Sequence, residues 1–424
     1  MIHARPHHAL QVAFNRATHT PQQTINRASR HFRKMSAVTV QPLPSRSPDS
    51  SSATSHHVGS PPTAFRNPWP SGQNKPTLST VLKTRYGDHP EKAFVPVPQG
   101  ANGQRSGELV NVRRPDWAQD RPDRLRATWI GHASFLVETP VTQGAKRGVR
   151  IFFDPVFSER TSPFSFLGPK RYSPTPCLLS ETPDVDIVCI SHNHYDHLDY
   201  DAVSQLYKRR GANIHFLVPL NVKPWFVKHI CPPECVTEMD WWESVEVRVP
   251  EVGSVTLTAT PCQHASRRSA FDGDHGLWCS WSLEAAQKKL YFAGDTGYQA
   301  PDTPSACPTF AQVGSTLGPF DLALLPIGLF KPPSMMGAVH CSPEQALQIH
   351  KDVRSRLSIG MHYGTVRGGV SGQYEPVTEP PRRWREAAEK EDLWRGGGIE
   401  GDGEAVDTSR EGAGLCDIGE TVAV

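Results

Sequence analysis

The amino-acid sequence predicts a layered α/β domain. Three observations carry that expectation: short apolar runs that repeatedly end in polar residues, helical patterns between several of these runs, and ligand-type side chains directly after them. The chain has 424 residues and is 37% hydrophobic, with 10 Trp and 17 Phe, so it can fill a sizeable core. A formal net charge of +2 and a negative mean hydropathy exclude nothing about folding. They do point away from a nucleic-acid binder and from an integral membrane protein.

Taken in order, the first strand-like runs are "RATWIGHASFLVET" and "RGVRIFFDPVF". They are followed by "DVDIVCISHNH", "ANIHFLVPL", "SVTLTATPCQH", "KLYFAGDTG", "DLALLPIG" and "RLSIGMHYGT". Two of the intervening helical patterns are "DAVSQLYKRR" and "SPEQALQIHKDV". In the second, Ser342, Pro343 and Gln345 fit an N-cap, a first-turn proline and a capping-box partner.

The ends differ in composition from this block. Up to Pro48 there are six Arg, one Lys and no acidic residue, which fits a mitochondrial transit peptide or a basic disordered tail. Met35 could serve as an internal start that removes most of this region. Residues 42–76 are rich in Pro and Ser and read as a flexible linker. The expected division is therefore 1–76 as disordered extension and linker, 77–395 as the catalytic domain, and 396–424 as a disordered, Gly-rich acidic tail. Nine cysteines without a CxxC pair read as free thiols in a reducing, intracellular compartment. No apolar run is long enough for a spanning helix, so any membrane contact is expected to be peripheral.

The chemistry concentrates in "SHNHYDHLD", where His192, His194, Asp196 and His197 occupy four of six positions after an apolar strand. His264, Asp295 and His362 each follow another predicted strand. Strand ends gather along one edge of a layered α/β protein, where ligands bind. His192 and His194, two apart on an extended segment, can grip one metal together with His264. Asp196 and His197 can turn to a second metal with His362, and Asp295 can bridge both. Imidazole and carboxylate without thiolate suit two zinc ions, and manganese or iron could also be accommodated. Cys262, beside His264, reads as a packing residue, and Asp199 as a structural or supporting carboxylate.

"SHNHYDHLD" resembles the signature of the metallo-β-lactamase superfamily, which implies an αββα sandwich: two mixed β-sheets flanked by helices, with metals at one edge. The flanking motifs "IGHASFLVE", "DPVFSERTSPFSFLGPKRYSPTPC", "DWWES", "FAGDTGY", "GPFDLALLPIG", "HCSPEQALQIHKDV" and "HYGT" resemble the family of N-acylphosphatidylethanolamine-hydrolysing phospholipases D. That resemblance runs from about Thr128 to Pro381. It implies the same two ligand sets, with Asp295 bridging, and it adds His340 as an active-site acid or substrate clamp near the scissile phosphate. The implied reaction is zinc-dependent hydrolysis of N-acylphosphatidylethanolamine to N-acylethanolamine and phosphatidic acid, through a hydroxide shared by the metals.

A phospholipid substrate implies peripheral membrane association, with a homodimer possible. Phe164, Phe166, Leu167, Trp225, Phe226, Phe330, Met335 and Met336 fall in expected loops near strand ends. Lys170 and Arg171 could meet lipid phosphate or form a solvated pair. Two other readings stay open: a lactonase or soluble-substrate phosphodiesterase of the same fold, and a non-catalytic lipid- or metal-binding protein.

Overall fold

Two mixed β-sheets face one another across the main hydrophobic core of this computed structural model, which describes residues 37–48, 54–73, 77–86, 110–164, 166–269, 271–367, 374–397 and 405–424. Among these residues, the larger sheet runs in the order Thr39–Leu43, Ser244–Val249, Gly253–Thr260, Ser280–Ala285, Lys288–Phe292, Phe320–Pro326, Ser355–Met361, Gly412–Gly414. Its first five strands are joined antiparallel and its last three are added parallel. The smaller sheet runs Val236–Met239, His215–Pro219, Ile187–Cys189, Arg150–Phe153, Ser134–Glu138, Arg126–Gly131, Thr421–Ala423.

Strand alternation builds the layers. Phe153 points between the sheets and stacks on Phe292 at 4.8 Å between ring centroids. Its neighbour Phe152 points outward into a second buried cluster with Val188, Phe216, Leu206 and Phe226. Leu206 and Phe226 come from the helices Tyr200–Arg210 and Lys223–His229, which cover this outer face. On the far side, the helices Thr309–Thr316, Pro343–Asp352 and Glu379–Lys390 pack with one another and with the parallel part of the larger sheet. The expected αββα sandwich is the observed architecture. The Ser342 cap and its Gln345 partner form as expected, with Pro343 opening the helix.

Three readings of the sequence change. "RATWIGHASFLVET" is a hairpin, Arg126–Gly131 with Ser134–Glu138, because fourteen residues exceed the usual strand and Gly131 and His132 both adopt positive φ at the corner. The expected disordered extension and linker, 1–76, contains the edge strand Thr39–Leu43, with Pro42 tolerated there because an edge strand leaves one side unpaired. It also contains an arm, 54–73, anchored by the buried His56, Phe65 and Asn67 and described below. The expected disordered tail, 396–424, contributes Gly412–Gly414 to one sheet and Thr421–Ala423 to the other. Its glycines serve close packing: a Cβ on Gly397 would lie 1.7 Å from the Leu415 carbonyl oxygen. The folded unit therefore exceeds 77–395 on both sides. Residues 1–36, with Met35 and every basic residue of the leader except Arg46, lie outside the described residues. No helix among the described residues is long and apolar enough to cross a membrane.

Candidate active site

The site forms at the C-terminal ends of strands from both sheets. His192, His194, Asp196 and His197 follow Ile187–Cys189, His264 follows Gly253–Thr260, Asp295 follows Lys288–Phe292, and His362 follows Ser355–Met361. His340 precedes the capped helix. The structure brings all eight side chains into one cluster of overlapping groups, the ligand atoms in each group lying within 4.8 Å of one another. One group is His192, His194 and His264; another holds Asp196, His197 and His362 together with His132.

Hydrogen bonds set which ring nitrogen faces the cluster. His264 donates from Nδ1 to the Val339 carbonyl at 2.9 Å, leaving the Nε2 lone pair inward. The carboxylate of Asp154 accepts from His197 Nδ1 at 2.7 Å and from Ser191 Oγ at 2.5 Å. Ser191 Oγ, its proton so committed, accepts from His192 Nδ1 at 2.9 Å. Nε2 of both histidines therefore points inward. Burial pushes His192 and His264 well below the ordinary imidazole range, so both present neutral rings.

Asp295 lies between the two groups. Its Oδ2 is 3.1 Å from His197 Nε2, 3.8 Å from His264 Nε2 and 4.0 Å from His192 Nε2, while Oδ1 is 2.9 Å from His362 Nε2. Burial alone would raise its carboxyl, but the His197 and His362 imidazoles hold it well below the usual range.

These contacts are short without being hydrogen bonds. His197 Nε2, His362 Nε2 and Asp295 Oδ1 are buried and have no hydrogen-bond partner. His192 Nε2 and His194 Nδ1 approach to 2.8 Å. Buried imidazole nitrogens and a buried carboxylate oxygen without hydrogen-bond partners are costly alone. They fit divalent cations as shared partners, and the all-nitrogen-and-oxygen donor set fits zinc among others.

His340 is buried with its rings 5.3 Å from His264 and 5.5 Å from His362, and its Nδ1 has no partner. Burial pushes it down to about 4, so at neutral pH it is a neutral N–H donor, which suits the substrate clamp better than the acid among the two roles the resemblance implies. Cys262 is buried and outside these groups. Asp199 caps the helix Tyr200–Arg210 and accepts from Phe157 N and Ser158 N, a structural role.

The expected lipid-facing residues separate. Phe164, Phe166 and Leu167 are exposed, whereas Phe226, Phe330 and Met335 are core. Lys170 pairs with Glu159, and Arg171 is buried, donating to the Val156 carbonyl.

Three supporting features escaped the sequence reading. Asp154 ends the strand Arg150–Phe153, and the strand-end rule that found Asp295 applies equally to it. His132 sits in the hairpin corner. The arm 54–73 is the third: His56 and His57 bind Asp240 at 2.7 and 2.8 Å, and Asn67 donates to the His264 carbonyl at 2.8 Å.

A two-sheet sandwich with clustered imidazoles and carboxylates at one edge defines a metallo-β-lactamase-type hydrolase, and residues 149–363 match the family model described as beta-lactamase superfamily domain. Within it, the chain belongs to the family of N-acylphosphatidylethanolamine-hydrolysing phospholipases D. It is 39% identical over 273 residues to N-acyl-phosphatidylethanolamine-hydrolyzing phospholipase D 1 of Caenorhabditis elegans, covering 63% of this chain and 71% of that protein. It is 32% identical over 264 residues to the mitochondrial N-acyl-phosphatidylethanolamine-hydrolyzing phospholipase D of Saccharomyces cerevisiae, covering 62% of this chain and 51% of that protein. Among solved structures, a metallo hydrolase from Ignicoccus hospitalis aligns over 71% of this chain and 98% of its own, with 21% identity and a TM-score of 0.47.

Proposed function

We propose that the chain hydrolyses N-acylphosphatidylethanolamine as a phospholipase D, using two zinc ions. His192, His194 and His264 would hold one ion, Asp196, His197 and His362 the other, and Asp295 both. The observation that carries this reading is the placement of Asp295, whose Oδ1 is 2.9 Å from His362 and whose Oδ2, 3.1 Å from His197, also lies 3.8 Å from His264 and 4.0 Å from His192 of the other group. The substrate class rests on the names of the worm and yeast relatives.

Two bound cations would supply hydroxide from water near neutral pH and neutralise charge on a phosphodiester. The chain's own residues do the rest. Asp154 and Ser191 hold the imidazoles so that their lone pairs face inward. His340, neutral and unpaired at Nδ1, donates a hydrogen bond to a phosphoryl or leaving oxygen as the bond from phosphorus to the ethanolamine oxygen breaks. The leaving oxygen takes a proton, giving N-acylethanolamine, and the added water oxygen stays on phosphatidic acid. The exposed Phe164, Phe166 and Leu167 support approach to a lipid surface. The name of the yeast relative and the basic leader together support a mitochondrial location.

The test is product identification with purified protein on N-acylphosphatidylethanolamine micelles, on a lactone panel and on soluble phosphodiesters, beside metal analysis. Two zinc ions per chain and release of N-acylethanolamine are expected. Lipid inertness with robust lactone turnover would sink the phospholipase reading. His340→Ala should retain both ions and lose about 10²–10³-fold in kcat; full activity in that variant would remove His340 from the mechanism.

A further inference from the structure

We propose that His132 is a positioning residue that fixes the geometry of the second metal group by holding Asp196 and His362 at once. The inference rests on the dinuclear reading above and adds a residue that is not in its ligand set.

The backbone of His132 is pinned from both sides. Its N–H donates to Thr365 Oγ1 at 2.8 Å, and its carbonyl accepts from Trp129 Nε1 at 2.9 Å and from the His362 N–H at 3.0 Å. Its φ of 54°, after Gly131 at 104°, is a left-handed conformation that a β-carbon makes unfavourable. The surrounding bonds overdetermine it.

The ring then reaches both ligands. Its centroid lies 4.0 Å from that of His362 at an interplanar angle of 36°, and its Nε2 is 3.0 Å from Asp196 Oδ2. Asp196 is the least buried carboxylate of the cluster, with 27% of its side chain exposed. Among the described residues it takes its hydrogen bond from His132, and His197 Nε2 stands off at 4.0 Å. One residue thus sets the main chain of His362, the face of its ring and the orientation of the carboxylate opposite.

The chelator-resistant zinc content of the full chain tests this without reference to any substrate. His132→Phe keeps a ring against His362 and removes the bond to Asp196; His132→Gln keeps an N–H donor near Nε2. His132→Phe should bind one ion as the native chain does and hold the second about 10–100-fold more weakly. His132→Gln should restore most of that affinity, with KM near native and any residual loss in kcat. Equal loss of the second ion in both variants would make His132 a ligand and overturn the positioning role. So would native affinity in His132→Phe. A native chain that holds only one ion would overturn the dinuclear reading and this inference with it, whereas two ions without lipid turnover would overturn only the substrate.

Discussion

Asp154 shows how a residue outside the ligand set can decide how the ligands are presented. Its Oδ1 accepts from the Ser191 N–H at 2.7 Å, and its Oδ2 accepts from Ser191 Oγ and His197 Nδ1. Burial raises its carboxyl, while His197 and Ser191 pull it down. An amide could keep the bond to the Ser191 N–H, but its NH₂ would then meet two donors. His197 would relieve the clash by turning acceptor at Nδ1, which places a proton on Nε2 and removes the inward lone pair. Asp154→Asn is therefore expected to bind metal about 10–100-fold more weakly, measured by chelator competition, with little change in the thermal melt. Native metal affinity in this variant would mean that the tautomer is set elsewhere.

At the scale of elements, the loop that leads to His340 is held by one buried carboxylate. Glu375 accepts from Leu329 N at 2.8 Å and Phe330 N at 2.9 Å, and Leu329 sits at φ 61°. Burial pushes Glu375 from 4.5 up to about 7, against the two backbone donors, which pull it down. The folded state then binds more protons than the unfolded state between about pH 4.5 and 7. Stability from this group is complete below 4.5 and is lost as pH rises through 7. Glu375→Gln cannot titrate; its NH₂ must face one of the two backbone donors, which lowers its stability by an amount that does not vary with pH. Between pH 4.5 and 8 the native chain should lose up to about 3 kcal/mol relative to the variant. Parallel stability curves from melts across that range would exclude the latch. Elements of this kind are hard to read in sequence, because "SGQYEPVTEPP" carries no periodicity that marks one glutamate as buried. The helix after His340 was legible because capping is local: Ser342, Pro343 and Gln345 act within one turn.

For the whole molecule, what the sequence conceals is long-range pairing. The candidate ligands were legible because strand ends converge in any layered α/β fold. His132 was not, because its partners lie 64 residues away at Asp196 and 233 at Thr365. The C-terminal segment was misread for the same reason. Its composition is that of a tail, yet Thr421–Ala423 pairs with Arg126–Gly131, and Leu125 and Val424 exchange backbone hydrogen bonds at 3.0 and 2.9 Å. Leu415, Ile418, Val422 and Val424 are all buried. Each such side chain contributes about 1.5–3 kcal/mol on burial, so the four together approach the about 5–15 kcal/mol that separates a folded domain from its unfolded chain. Removal also leaves the adjoining edges of both sheets unpaired. A chain ending at residue 404 is therefore expected to lose its cooperative urea transition and to aggregate on expression, although it keeps every candidate ligand. A native-like unfolding midpoint in that truncation would show that the sandwich closes without its last strands.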